Sequence, residues 1–506
     1  MSPKRLLAID AGTSGVHCLV TSLEGQPVSL SHRGWAYETP DQIAPLGREF
    51  DATRFWDIIC QGIREAIKGG NVNAEDIVGV STTSQREGIV FLDKGGKELY
   101  AAPNIDLRAL LEGLSLDSEF GEEIYAISGH KPSFLFAPAK LKWFEANRPE
   151  IYSRIAAILA ISDWVTYRLC GETVSEVSAA SELGLVDIRE RAWSGRLREL
   201  LDLPVGIYPE LRTAGSCVGA VTAQAAADTG LIKGTPIALG GADTQSGLLG
   251  MGVKEKGEVG VVVGWSAPVQ MVTAESIIDR KAMIWSSCHI FPGRWILESN
   301  AGEAGNAYSW LKDTMFGELG AEEAYARMDD LAEQVPVGSE GVLALLGPAA
   351  MDMNRLGLKM GGLLLPVPLS AGGCQKSHLV RAVLENLCFA IKANCLRIEN
   401  ISAMTVKGIS IGGGLSQSRC LTQMLSSVLN SPVFVSGVHN VTALGAAIIA
   451  AVGAGVYSSL EEAVSSMKIR GEVIEPDPLI AAEYSEYYER WVVAAQRLEE
   501  LSEEVQ

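Results

Sequence analysis

"LLAIDAGTSGVHCLV", residues 6–20, decides how the chain is read. An apolar run ends on Asp10, then come Gly12, Thr13, Ser14 and Gly15, and a second apolar run rich in β-favouring residues begins. That order predicts a strand, a tight turn and a returning strand. It is not a P-loop, because G-x-x-x-x-G-K-[ST] is missing and a strand rather than a helix follows the glycines. Two roles for Asp10 stay open. The acid either caps its own turn, or it holds a magnesium ion, directly or through water, while the turn amides and hydroxyls face a phosphate.

The device recurs. "VGVVVGWSAPVQMV" (259–272) is again an apolar run, a turn with Gly264, Trp265 and Ser266, and an apolar run. Duplication at the head of each half predicts two related domains, 1–252 and 253–506, with chance similarity of two hairpins as the alternative. Between them, "LLAID", "VHCLVTSL", "IVGVST" and "GIVFLD" read as strands, and "APAKLKWFEANRPEIY" and "DWVTYRLCG" as helices, so the class is α/β. In "SIGGGLSQSRCLTQMLSSVL" the residues Leu421, Met424, Leu425, Val428 and Leu429 share one helical face. The Glu-rich end from Leu460 reads as solvated terminal helices.

Composition narrows the partners. The chain has 506 residues, 47% of them hydrophobic and 20% charged, enough apolar matter for a large core. A net charge of −19 excludes a nucleic-acid partner, which needs clustered Lys and Arg. Nine cysteines without a C-x-x-C pair fit buried thiols in the cytoplasm rather than disulfides or zinc. "MSPKRLLAID" makes no signal-peptide core, and "VTALGAAIIAAVGAGVY" (441–457) is a buried helix too short to span a membrane, so no membrane partner is expected.

Three further segments carry candidate chemistry. "GGADTQSG" (240–247) places Asp243 and Gln245 between a strand and a helix, where Asp243 is either an N-cap or a ligand-facing acid at the carboxyl end of a strand. "SIGGGLSQSRC" puts Gly412, Gly413 and Gly414, then Gln417, where a phosphate or a flat ligand lies against bare backbone. "STTSQREGIVFLD" sets Arg86 beside Glu87, and "NIDLRA" adds Asn104, Asp106 and Arg108; these are solvated polar groups or the donors and acceptors for a small polyhydroxy substrate. His17 has no second histidine at ligand spacing and reads as structural.

Taken in order, these five segments resemble the FGGY family of carbohydrate kinases across almost the whole chain. The resemblance implies two actin-like ATPase domains of ribonuclease H-like fold with a cleft between them, and ATP and Mg2+ as cofactors. It implies a phosphate and metal site at Asp10, Gly12, Thr13 and Ser14, and a nucleotide site at Gly264, Trp265, Gly412, Gly413, Gly414 and Gln417. Asp243 matches the general base and is a second carboxylate for the metal. Arg86, Glu87, Asn104, Asp106 and Gln245 would then bind the substrate. "REGIV", "NIDLRA" and "ISDWVTYRLCGE" are similar to autoinducer-2 kinases, and the Arg-Glu pair to glycerol kinases. Asn104 and Leu135, however, stand where glycerol kinases carry tryptophan and tyrosine. The implied acceptor is a linear C3 to C5 polyol or ketose: a xylulose-like pentulose, an autoinducer-2-like dihydroxy-pentanedione, or a glycerol-like polyol. A homodimer is the expected assembly.

Two residues depart from the family pattern. His17 stands where the first loop often has Lys or Arg, and Trp265 replaces the threonine of a Gly-Thr turn. They motivate an alternative, a catalytically weak sugar- or nucleotide-binding sensor of the same fold. A nicotinamide-dependent oxidoreductase lacks its G-x-G-x-x-G. The kinase reading expects Asp10 and Asp243 to meet across an interdomain cleft, one serving the metal nucleotide and the other the incoming alcohol.

Overall fold

The computed structural model describes residues 3–355, 360–368, 374–467 and 469–505. It forms two compact units that are not continuous in sequence. The first comprises Met1–Lys254, Val272–Ile296 and Asn440–Ile469; the second comprises Glu255–Met271, Leu297–His439 and Arg470–Gln506.

The opening stretch folds as its two apolar runs and the turn between them predict. Strands β1 (Arg5–Ala11) and β2 (Gly15–Ser22) form an antiparallel hairpin, β3 (Pro27–Gly34) extends it, and β4 (Ile77–Ser84) joins β1 in parallel. Pro236–Ala238, parallel to β4, and Cys217–Ala220 complete a six-stranded sheet. β1 and β4 are buried along almost their whole length, as expected of strands covered on both faces. Helix α1 (Ala52–Gly69), capped by Asp51 accepting from the Arg54 amide, packs on β2 and β3. Its buried residues Phe55, Trp56, Ile59, Cys60, Ile63 and Ala66 fall on one stripe, and each large one contributes roughly 1.5–3 kcal/mol.

On the same sheet lies the apolar helix Val441–Gly453, packed against β1, β4 and the helix Asp243–Gly250. Its apolar run is buried inside the first unit, and two glycines explain how the helices approach. A Cβ on Gly445 would stand 1.8 Å from the Ser246 carbonyl, and one on Gly250 would stand 2.0 Å from that of Val441. A side chain at either position would force the helices apart.

In the second unit, Val259–Val262 pairs with Pro268–Thr273 in a hairpin and, in parallel, with Ile409–Gly412, which is followed by Val433–Ser436. Helix Arg419–Leu429 buries Leu421, Met424, Leu425 and Val428 of the five residues read as one face, and Leu429 is half-buried. The carboxyl end differs from two solvated helices. Leu460–Ser466 buries Leu460, Ala463 and Val464, the strand Gly471–Ile474 pairs with Val433–Ser436, and the final helix Pro478–Val505 sets Tyr484 and Trp491 around Phe389. Among the described residues no helix is long and apolar enough to cross a membrane.

Candidate functional site

The parallel pairing of β1 with β4 places Asp10 opposite Thr83, and the hairpin places it opposite His17. Asp10 is buried, and burial first, then the carboxylate of Asp243, push its pKa up to about 8 against a hydrogen bond with Asn440. The two acids therefore do act on one another. They belong, however, to the same compact unit, so the expectation that they meet across a domain boundary is corrected.

The turn after Asp10 is closed by the Gly12 amide donating to the Gly15 carbonyl at 2.9 Å. Side chains brace it from below. Tyr37 Oη donates to the Thr13 carbonyl at 2.6 Å, Trp35 Nε1 to the same oxygen at 3.2 Å, and Gln85 Nε2 to the Gly12 carbonyl at 3.2 Å. Asn104 joins this group, its amide nitrogen 3.3 Å from Thr13 Oγ1 and its backbone N–H donating to Gln85 Oε1. Ser14 at the tip is exposed.

β4 ends at Ser84, which bridges in parallel to Ala242, and this delivers Arg86 and Glu87 beside the start of helix Asp243–Gly250. Ala242 is the cap residue of that helix and Asp243 its first turn, its Oδ1 accepting from the Thr244 amide at 2.7 Å. An anion is stabilised there by the helix dipole. Arg86 sits among three carboxylates: Nε is 3.9 Å from Glu87 Oε1 and 3.9 Å from Asp243 Oδ1, and Nη1 is 3.6 Å from Glu182 Oε2. The side chain of Asp243 is 26% exposed, whereas those of Arg86, Glu87 and Glu182 are 7%, 10% and 1%. Asp243 is thus the acid of this cluster that opens to solvent. Glu87 adopts a positive φ of 57°, an uncommon conformation for a residue with a side chain.

Two expected substrate contacts are placed otherwise. Asp106 is fully buried, one carboxylate oxygen accepting from the backbone of Arg48 and Arg108, the other from Tyr100 Oη and Arg108 Nε. With both oxygens engaged inside the protein, it holds Arg108 against Tyr100 and Trp143 rather than facing a ligand. Gln245 is also fully buried, Nε2 donating to Glu182 Oε1 at 2.7 Å and Oε1 accepting from Thr244 Oγ1 at 2.8 Å. Sequence reading missed Glu182, His130 and Lys140. Burial lowers Lys140 to about 8 while its Nζ donates to the Leu135 carbonyl.

His17 is half-buried and stacks on His32 at 4.5 Å; burial, then His32, hold it down at about 4. Its imidazole is neutral near pH 7, so it supplies no fixed positive charge in place of Lys or Arg.

In the second unit the glycine segments lie together. The Val263 amide donates to the Gly412 carbonyl at 2.7 Å, and the Gly264 amide to the Ser266 carbonyl at 2.9 Å. The Trp265 carbonyl accepts from the Gly305 amide at 3.1 Å, while its side chain is 55% exposed. Gly413 has φ of 103° and its missing Cβ would stand 2.5 Å from the Val263 carbonyl, so only glycine fits. Ser416 Oγ donates to the Gly413 carbonyl, and Gln417 Nε2 reaches Ser416 Oγ at 3.4 Å. A separate cavity of about 1080 Å3 lies in the same unit beside Arg397 and Trp491; it contains none of these residues.

A buried acid near the end of a strand, a braced turn, an acid at the head of a helix and glycine loops on a second sheet are thus carried by two α/β units. The chain belongs to the FGGY family of carbohydrate kinases: residues 5–250 match the family's N-terminal domain and 260–454 its C-terminal domain. It is accordingly an enzyme, an ATP-using carbohydrate kinase. It is 32% identical over 498 residues to the autoinducer-2 kinase of Klebsiella pneumoniae, covering 96% of this chain and 92% of that one. To the autoinducer-2 kinase of Yersinia enterocolitica it is 33% identical, covering 90% and 88%. Its fold matches the crystal structure of xylulose kinase from Rhodospirillum rubrum with a TM-score of 0.84 and 25% identity, over 99% of this chain and 100% of that one.

Proposed function

We propose that this kinase transfers the terminal phosphoryl group of ATP to a hydroxyl of a small linear sugar or polyol, with a dihydroxy-pentanedione of the autoinducer-2 type first among acceptors and xylulose-like pentuloses next. The observation that carries the reading is the Arg86, Glu87 and Asp243 cluster, in which one solvent-open carboxylate stands 3.9 Å from a guanidinium at the start of a helix. The names of the relatives support the choice of acceptor.

In this reading Arg86 donates to a substrate hydroxyl, Glu87 accepts from one, and Asp243 receives the proton of the attacking hydroxyl. Phosphoryl transfer passes through a loose transition state, so the base acts late and a weak carboxylate suffices. The turn residues Gly12, Thr13 and Ser14 face phosphate oxygens; because the Gly12 amide already closes the turn, the amides of Thr13 and Ser14 do so. Asn104 fixes Thr13 and contacts substrate only beyond it. Gly264, Trp265, Gly412, Gly413, Gly414 and Gln417 form the nucleotide surface of the second unit.

A magnesium ion fits Asp10 and Asp243. Burial and then the Asp243 carboxylate raise the cost of ionising Asp10, which a cation relieves, and among the described residues no group of three or more His, Cys, Asp or Glu forms a full protein cage. Magnesium needs only one or two carboxylates, keeping its waters and the nucleotide phosphates as other ligands. Bound there, the ion would neutralise phosphate charge. The nine unpaired cysteines favour a cytoplasmic location, and a homodimer completes the proposal, to be measured by sedimentation.

The test is ADP release with ATP, magnesium and a panel of dihydroxy-pentanedione, xylulose and glycerol. Asp243→Asn is expected to lower kcat by about 10²- to 10⁴-fold with the protein still folded. A variant that retains wild-type turnover overturns the assignment of the base. Sugar binding without turnover in the wild type would instead favour the sensor, which the comparisons do not support.

A further inference from the structure

Glu182 plays no part in the steps above, yet it is the most enclosed charge in the cluster. Gln245 Nε2 donates to Oε1 at 2.7 Å, and His130 Nε2 stands 3.2 Å from Oε2. His130 is itself fixed, since its Nδ1 lies 2.6 Å from the Ser128 carbonyl, which can only accept. Burial alone would raise the Glu182 carboxyl; the Arg86 guanidinium, with His130 and Gln245 beside it, outweighs burial and holds the group below the usual carboxylate range. An ionised carboxylate is therefore locked 3.6 Å from Arg86 on the protein side, and the ring of Trp285 lies 5.6 Å from the same guanidinium.

We propose that Glu182 is the positioning and specificity-determining residue for the acceptor. It cancels the charge of Arg86 and fixes its orientation, so that Arg86 meets a substrate as an aimed hydrogen-bond donor for a neutral hydroxyl rather than as a cation for a carboxylate. What remains towards the open side is Glu87 and Asp243, both acids. A sugar acid entering there meets like charge at both of these acceptor contacts, which disfavours it in a desolvated site. Neutral polyols, ketoses and diones meet only donors and acceptors. This inference rests on the reading of Arg86 as an acceptor contact.

The experiment compares Glu182→Gln, Glu182→Asp and Arg86→Gln with the wild type, using the panel's best neutral acceptor for kinetics and the matched pair xylitol and xylonate as inhibitors. Glu182→Gln is expected to raise the acceptor KM about tenfold or more, leave the KM for ATP within about twofold, and tighten inhibition by xylonate about tenfold. Glu182→Asp should restore most of the preference for xylitol. Loss of packing alone would not create affinity for an anion. Unchanged xylonate inhibition in a folded Glu182→Gln protein overturns the proposal. Should that variant not fold, the wild type decides: xylonate inhibiting as well as xylitol also overturns it. If Arg86→Gln leaves the acceptor KM unchanged, the reading of Arg86 fails; if Arg86→Gln raises it and Glu182→Gln does not, only the role of Glu182 fails.

Discussion

The two β-turns that look alike in sequence are held in different ways. The first, Gly12 to Gly15, adds side chains to its backbone bonds: Tyr37, Trp35, Gln85 and Asn104 all reach its backbone or Thr13. The second, around Trp265, is carried by backbone, through Val263 to Gly412, Gly264 to Ser266 and Gly305 to Trp265. Side-chain bracing fixes an orientation that single substitutions can loosen. Backbone bracing tolerates almost any side chain at the tip, which is why a tryptophan can stand where the family has threonine. The departure at Trp265 is therefore smaller than its bulk suggests, whereas His17 lies outside both turns, on β2 against His32.

The strongest way to break this contrast is to add a methyl group where backbones touch. A Cβ on Gly15 would lie 2.3 Å from the Arg33 carbonyl and 2.9 Å from the Gly34 Cα, neither of which can swing aside. Gly15→Ala is expected to cost on the order of 4 kcal/mol, read as the shift in chemical denaturation midpoint at unchanged slope. A loss under about 1 kcal/mol would mean that the hairpin relaxes and is not held as described.

The hairpins themselves were readable locally, because each is a pair of apolar β runs joined by a tight turn that contains Gly and Ser. The places of Asp10, Arg86, Glu87 and Asp243 in the chain are local features: Asp10 lies near the end of a strand, Arg86 and Glu87 in the loop after another, and Asp243 at the start of a helix. The burial of Asp106, in a loop, and of Gln245, in a helix, was not readable, because a polar residue gives the same local signal whether it turns outward or inward. Only Tyr100 and Arg108, or Glu182, decide the direction. Glu182 itself sits in "AASELGL", a run without a motif, and its partners lie 52 and 63 positions away. The helix Val441–Gly453 announced its burial by being apolar all round, but nothing local says that it returns to the first unit.

His17 sharpens the contrast through pH. Its pKa in the folded protein is lowered from 6.5 to about 4, by burial and then by His32, so the folded state favours the neutral ring. The stability this represents is complete above pH 6.5 and is lost as pH falls through 4. The full shift amounts to about 3 kcal/mol. His17→Gln is expected to flatten the fall in stability between pH 6.5 and pH 4 by an amount of that order, measured as the difference between wild-type and variant denaturation curves. Parallel curves would show that His17 is not the group that titrates.

Tyr37→Phe removes a hydroxyl that donates to the Thr13 carbonyl at 2.6 Å and accepts from Gln85 at 2.9 Å. The ring keeps its place against Phe55, so the loss is confined to hydrogen bonds, about 1–2 kcal/mol of stability. If the turn binds phosphate, the KM for ATP rises with it.

Trp265→Thr should do least. The indole is 55% exposed and the position is held through its carbonyl, which any residue supplies. The expected change in stability is within about 0.5 kcal/mol, the range of surface substitutions. Because backbone bonds fix the turn, the threonine hydroxyl arrives without moving it. Any gain in ATP affinity would then report the hydroxyl alone, as a lower KM for ATP at unchanged melting temperature. A drop in stability well beyond that range would instead show that the indole itself braces the turn, and the two hairpins would be held by the same kind of contact after all.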